Sequence, residues 1–380
     1  MPDDRTRDWN PKDPAVLADQ RRAYDELRER CPVAYSDAMS WSLFRHDDVM
    51  TVLNDPDTFI NVSRHHAIPN AMNGEDHTKH RALLARHFSA PEMVTIEPRC
   101  RDIAADAINA LTVPGSADAV RDIAEPIALR TMCVFLGWPQ STWERVRDWI
   151  HGNREATFRR DRDASHRLAD EYAAIVTEAM DEHRKHPDGN DLTNQLMNTT
   201  VDGHRWNDAD IIATLRNWIA GHGTVASAIG LVIAHLASKQ EFQQQLRHQP
   251  ELIPNTIEEI LRTDGPLVAN ARTTARDVVF HGRTIPAGER ISLMWIAANR
   301  DPQAFAAPTD IQLGRDQTGN LLYGAGIHYC LGAPLARLEL RVTTETLLAA
   351  TTGFDLVPDV ALPRETYPGN GFLAVPLALR

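Results

Sequence analysis

The chain has 380 residues, of which 43% are hydrophobic and 24% charged, the proportions of an ordinary globular protein. A formal net charge of -12 with no basic block argues against a nucleic-acid binder. The four cysteines, Cys31, Cys100, Cys133 and Cys330, lie far apart with no CxxC pair, which disfavours a disulfide framework or a zinc site and fits a reduced cytoplasm.

Met1 to Arg5 is polar and reads as neither signal peptide nor anchor. No uninterrupted apolar run approaches the roughly 18 residues of a membrane span. Length alone favours two or three domains, and one large domain is allowed where helices dominate. In chain order, residues 14–30 place Leu17, Arg21, Tyr24 and Leu27 at helical spacing. Residues 33–45 alternate like short strands and end at a helix start, His46-Asp47-Asp48. Residues 75–88, 95–111, 121–137 and 163–185 read as helices.

Asn207 or Asp208 is the expected N-cap of a helix running to about residue 238. Ile211, Leu215, Ile219, Ile229, Val232 and Leu236 cover much of its circumference, the profile of a buried helix. At 1.5 Å per residue it would be roughly 45 Å long and cross the whole protein. Its middle is Ala220-Gly221-His222-Gly223-Thr224. Two glycines there mark either a kink or close helix crossing, or a place where a flat ligand lies against the backbone. After residue 266, Val278–Phe280, Ile285 and Ile291–Leu293 read as strands. A loop-rich stretch covers 299–329, a helix runs from about 334 to 350, and short strands close the chain.

The segment Tyr323-Gly324-Ala325-Gly326-Ile327-His328-Tyr329-Cys330-Leu331-Gly332-Ala333-Pro334 is the most informative. Its glycines allow positive φ and close approach of backbone to a ligand. Pro334 suits the first turn of a helix, which puts Cys330 just before a helix start. Unpaired amide N–H groups there lower a thiol's pKa, and thiolate is the metal-ligating form. By composition alone, a lone cysteine is more often inert and buried.

From Tyr323 to Gly332 the segment resembles the haem-binding loop of the cytochrome P450 family, with Tyr323 where that family usually has Phe. The signature is highly specific, and the resemblance extends over nearly the whole chain. It implies a mainly α fold with small β-sheets, one domain over 1–380, and haem b (iron protoporphyrin IX) between the long central helix and the Cys-loop helix. Cys330 would be the axial ligand. His77, Arg81, Arg272 and His328 would hold the haem propionates, and Glu259, Arg262 and Arg315 would form a structural ion cluster. Thr224 matches the family's threonine of proton delivery, but Gly223 replaces the acid before it.

The activity implied is a cytoplasmic monooxygenase inserting one oxygen atom from O2 into a small-molecule substrate. Ferredoxin and ferredoxin reductase would supply electrons to a monomer, with Arg86, Arg337 and Arg341 as docking candidates. Alternatives are a haem-thiolate enzyme using peroxide or nitric oxide, and a non-turnover ligand sensor. Without the acid, protons would come by water, by a polar substrate group, or not be needed. Expected pocket walls are 59–73 (Phe59, Asn61, Ser63, Arg64, His65, Asn70), about 150–160, Trp218–Thr224, Leu267–Ala271 with Asn270, and Gly371–Phe372. The polar groups among them point to a small polar or carboxylate-bearing substrate, or to water.

Overall fold

A computed structural model of the chain describes residues 5–63, 66–187 and 189–380. Helices dominate, with small sheets beside them. The N-terminal helical pattern is interrupted: Asp13 caps Pro14–Ala18 and Asp19 caps Gln20–Arg30. An aspartate that bonds the backbone locally starts a new helix more readily than it continues one. Helices also occupy His46–Asn54, Gly74–Ala85, Ala90–Asn109 and Arg162–Lys185. The expected 121–137 helix is a π-helical turn, Ala119–Ala124, leading into Glu125–Leu136 and stopped by left-handed Gly137. Trp143–Arg159 is a further helix, absent from the sequence reading, and it buries Val146, Trp149 and Ile150.

The central helix is Asp208–Ala237, opened by a reciprocal Asn207–Asp210 capping box. By length and composition it would cross a bilayer, but 78% of its most apolar window is buried inside the protein. It packs against Glu125–Leu136, Ile253–Thr263 and the Cys-loop helix Ala333–Ala350. One hydrophobic cluster drawn from these helices runs in sequence from Ile68 to Leu379.

Five short strands make the main sheet, in the order Val33–Ser36, Ser40–Leu43, Arg290–Met294, Ala269–Thr274, Phe59–Ile60. Only the pairing of Ser40–Leu43 with Arg290–Met294 is parallel. Fully buried Trp41, Leu43, Ile291 and Leu293 anchor it. A three-stranded sheet pairs Pro376–Leu379 with Phe354–Leu356 and Gly115–Asp118, which ties the end of the chain to the helical body. These sheets hold the segments that frame one large cavity.

Candidate active site

The cavity has a volume of about 440 Å³. One wall is the Tyr323–Gly332 loop, and the facing wall includes Trp218, Gly221 and Thr224 of the central helix. The two glycines of that helix do different jobs. A Cβ on Gly221 would meet nothing within 4 Å, whereas one on Gly223 would lie 2.7 Å from Ile150 Cγ2. So Gly221 borders open space and Gly223 makes a close helix crossing, while the helix continues unbroken.

In the loop, Gly324 (φ 71) and Gly326 (φ 68) are left-handed, a conformation that disfavours any side chain. A Cβ on Gly326 would also lie 2.4 Å from the Leu53 carbonyl oxygen. The resulting turn lets the Cys330 N–H donate to the Tyr323 carbonyl at 2.9 Å and leaves Cys330 exposed on the cavity wall. The thiol's pKa departs from the sequence expectation. Removal from bulk water raises it, and that outweighs the Gly332 and Ala333 N–H groups, Arg81 and Arg337, which all act to lower it. The cavity-facing sulfur is therefore a thiol until something cationic meets it.

Four basic groups gather beside this loop. The His77 and His328 rings lie 4.1 Å apart. Arg81 donates to the Tyr329 carbonyl, and Arg272 to the Ala271 carbonyl at 2.9 Å. His77 and Arg272 are buried. No ion pair to a carboxylate is found for any of the four among the described residues. Burial pushes Arg272 down to about 10. Burial, with His77, Arg272 and Arg81 alongside, takes His328 down to about 3. His77 Nε2 has no hydrogen-bond partner among the described residues. Two guanidiniums without a carboxylate partner, beside two imidazoles that burial keeps neutral, call for an anion at this edge, so the donor set fits the carboxylates of a haem edge.

The cytochrome P450 family model matches residues 140–373. The chain is 32% identical to the vitamin D(3) 25-hydroxylase of Pseudonocardia autotrophica over 90% of its length and 86% of that protein's. It is 29% identical to the mycinamicin IV hydroxylase/epoxidase of Micromonospora griseorubida, covering 89% and 90%. Among solved structures, CYP109E1 from Bacillus megaterium in complex with testosterone superposes with a TM-score of 0.83 at 26% identity, covering 94% of this chain and 98% of that one. The chain belongs to the cytochrome P450 family. Like its relatives named as hydroxylases and epoxidases, it is a monooxygenase-type oxidoreductase.

Behind the Cys loop of this P450 lies the expected ion cluster. Arg262 Nε and Nη2 bind Glu259 at 2.8 and 3.0 Å, and Arg315 Nε binds it at 2.7 Å. Gln312 N and Gln317 Nε2 fill the remaining carboxylate sites at 3.1 and 3.3 Å. Arg262 also donates to the Asn299 and Pro308 carbonyls, at 2.6 and 2.9 Å. Asn299, Pro308, Gln312, Arg315 and Gln317 of the loop-rich stretch are thus clamped to one helix.

Sequence reasoning missed a second buried pair. Glu339 of the Cys-loop helix is fully buried with its Oε1 3.4 Å from His222 Nε2. Burial raises the Glu339 carboxyl. Burial also opposes charge on His222, yet the facing carboxylate outweighs it and raises the imidazole. An acid flanked by Leu338 and Leu340 inside an apolar helix was the available signal. Asp264 was likewise missed; it is buried and bound by Arg364, Arg21, His235 and Asn370.

The wall residues divide. Asn61, Asn70, Trp218, Thr224, Leu267, Asn270 and Ala271 line the cavity. Phe59 instead packs on Phe280, with ring centroids 6.1 Å apart, because its alternate position in a paired strand points it into the sheet core. Phe372 stacks under Arg364 at 4.2 Å, and Gly371 sits against Ser227. Ser63 and residues 150–160 do not line the cavity, and Arg64 and His65 lie outside the described residues. The surface placement assumed for the docking arginines holds for Arg86 and Arg337, which are exposed, while Arg341 is half-buried. Arg337 is paired with Glu258 at 3.0 Å, and Arg341 with Glu97 and Glu345 at 2.8 and 3.3 Å. Arg86 is exposed, with its Nε 3.3 Å from His87 Nε2.

Proposed function

We propose that this P450 is a single-domain haem-thiolate monooxygenase in which Cys330 ligates the iron of haem b. The observation that carries the reading is that one cavity is bordered by a cysteine sulfur, by an uncompensated cationic edge and by bare helix backbone at Gly221. His77, Arg81, Arg272 and His328 would hold the propionates by charge-assisted bonds. The haem iron, when bound, supplies dioxygen activation and transfer of one oxygen atom to a substrate.

The chain's own residues do the rest. The Tyr323 carbonyl and the two left-handed glycines orient Cys330. The Glu259–Arg262–Arg315 cluster fixes the loop that presents it. Gly221 lets a planar group lie against the central helix, and Thr224, bordering the same space, holds a proton at its hydroxyl. Ligation by Cys330 replaces the thiol proton with a cation, which removes the cost of burying sulfur as thiolate.

Relatives named for vitamin D3 and mycinamicin IV, and the structure of P450 EryK with erythromycin B, at TM-score 0.86 and 27% identity over 95% of this chain, support a small organic substrate. Electrons come from a separate ferredoxin and ferredoxin reductase to a cytoplasmic monomer. A second reading, oxidation driven by peroxide or nitric oxide, draws on Gly223.

Two experiments decide. The reduced protein with carbon monoxide absorbs at about 450 nm, and Cys330→Ser abolishes that band, as thiolate ligation requires; an unchanged band in the variant refutes the assignment. Turnover with reductase-supplied electrons and oxygen is then compared with turnover on hydrogen peroxide, and efficient peroxide turnover alone overturns the monooxygenase reading.

A further inference from the structure

The acid that the family resemblance implies before Thr224 is missing, and the structure shows what stands where its side chain would reach. A Cβ on Gly223 would lie 3.2 Å from Arg154 Nη2. Arg154 comes from the Trp143–Arg159 helix, and its guanidinium is already engaged. Nη1 pairs with the Glu365 carboxylate, and Nη2 donates to Ser227 Oγ at 3.2 Å. Ser227 lies one turn along the central helix. Its hydroxyl donates to the Gly223 carbonyl at 3.1 Å and lies 3.2 Å from each Glu365 oxygen. The Glu365 side chain is only 10% exposed.

The backbone has been cleared for this carboxylate. A Cβ on Gly369 would lie 2.3 Å from Glu365 Oε2, and one on Gly371 would lie 2.7 Å from Ser227 Cβ. The Gly371 N–H donates to Oε2 at 3.1 Å. Beside Glu365, Gly223 and Ser227 is a second cavity of about 10 Å³, room for about one water. It is also lined by Glu125 and His151, which approach to 2.5 Å, with the His151 side chain 56% exposed. A carboxylate thus reaches the central helix from the C-terminal loop, beside a small cavity that Gly223 and Ser227 share with the exposed His151.

We propose that Glu365 supplies the carboxylate missing at position 223 and relays protons to the Thr224 turn through Ser227. This rests on the monooxygenase reading. That reaction consumes one O2, two electrons from the redox partner and two protons from solvent; one oxygen atom enters the substrate and the other leaves as water. In each relay step the Glu365 carboxylate takes a proton from water in the small cavity. It passes that proton to the Ser227 oxygen as the Ser227 hydroxyl gives up its own, through water, on the Thr224 side. Carboxylate and hydroxyl are regenerated, and Arg154 stays protonated throughout, holding Glu365 in place.

The test starts with Glu365→Gln and Ser227→Ala. Both keep the 450 nm band and the substrate-induced spin shift. In both, product per electron pair falls about 100-fold or more, the lower end of the scale for one lost proton-transfer group, with reduced oxygen released instead and a larger solvent isotope effect. Glu365→Asp regains most of the coupling. A readout independent of turnover is thermal unfolding of Gly223→Ala and Gly223→Asp, each made with Glu365 and with Glu365→Gln. Alanine isolates the contact with Ile150. Aspartate is worse than alanine beside Glu365, where two carboxylates compete for Arg154, and better than alanine in the Glu365→Gln background. Unchanged coupling and isotope effect in Glu365→Gln, or an aspartate-minus-alanine difference indifferent to residue 365, overturns the proposal. A wild-type protein without oxygen-dependent product would instead overturn the monooxygenase reading.

Discussion

Arg262→Leu should be among the most damaging substitutions outside the cavity. Arg262 and Glu259 are both fully buried and joined by two hydrogen bonds of 2.8 and 3.0 Å. Removing the guanidinium leaves a buried carboxylate facing only Arg315, Gln312 N and Gln317, and frees the Asn299 and Pro308 carbonyls. Breaking a buried pair in this way costs about 3–5 kcal/mol. With an unfolding entropy of about 2.1 cal/mol/K per residue over 380 residues, the expected fall in Tm is about 4–6 °C. The assay is thermal unfolding of the haem-loaded protein at pH 7, with the 450 nm band followed in parallel. The band should decay to one near 420 nm faster than in the wild type, because Arg262 holds Asn299, whose side chain accepts from the Leu321 N–H at 2.7 Å just before the Cys330 loop. Glu259→Gln with Arg262→Leu should lose more than Arg262→Leu alone, since Arg315, whose side chain is only 9% exposed, is then left without a carboxylate partner. A Tm within about 1 °C of wild type for Arg262→Leu would refute the reasoning, because no buried pair of this kind is broken that cheaply.

Two glycines of the Cys loop separate backbone strain from collision. Gly324→Ala meets only Trp295 at 4.0 Å, so it costs about 1–2 kcal/mol for left-handed φ alone. Gly326→Ala adds a 2.4 Å approach to the Leu53 carbonyl, and should cost several-fold more and lower haem occupancy; equal losses in a denaturant titration would dismiss the collision. Asp264→Asn strands Arg364 and Arg21 and should cost about 3–5 kcal/mol near neutral pH. Burial favours the protonated carboxyl, yet His235, Arg364 and Arg21 hold it well below the usual range. Its contribution is therefore fully present above the ordinary carboxylate pKa of about 4 and is lost as pH falls through the lower folded value. A plot of Tm against pH should show an acid limb that Asp264→Asn flattens; parallel curves would contradict this.

The Cys loop and the central helix were legible because each carries its own local signal. Gly324 and Gly326 mark backbone that only glycine adopts easily, and Asn207 or Asp208 reads in sequence as an N-cap. Glu259, Arg262 and Arg315 were legible by order and spacing. The Arg154–Glu365–Ser227 group was not. Its members come from three elements far apart in the chain, and Trp143–Arg159 hides its apolar face among Arg147, Asp148, His151 and Arg154. Asp264 was missed for a related reason, since an acid reads as surface until the residues that bury it are known, and Glu339 offered only its two flanking leucines as a signal. Periodicity also fails at Asp19, where a side chain caps a second helix within a continuous helical pattern.

The asparagines of the cavity wall change meaning once their partners are known. In sequence they favoured a polar substrate. In the structure the Asn73 side chain accepts from the Asn61 N–H and donates to the Asn61 carbonyl, both at 2.8 Å, Asn61 Nδ2 donates to the Asn70 carbonyl at 2.7 Å, and Asn217 Nδ2 reaches the Ile68 carbonyl at 3.3 Å. These amides hold the loop that forms the wall, and polar groups spent this way offer little to a ligand. What remains is Asn61 Oδ1, buried without a partner among the described residues. The same cavity is lined by Val62, Pro69, Trp218, Val225, Leu267 and Trp295, with Asn70 and Asn270 among them. Such a wall selects mainly by shape and apolar contact, with one acceptor to orient a donor on the substrate. The loop can then vary in sequence without touching the contacts that present Cys330, since those run through Tyr323, Leu53 and the Glu259 cluster.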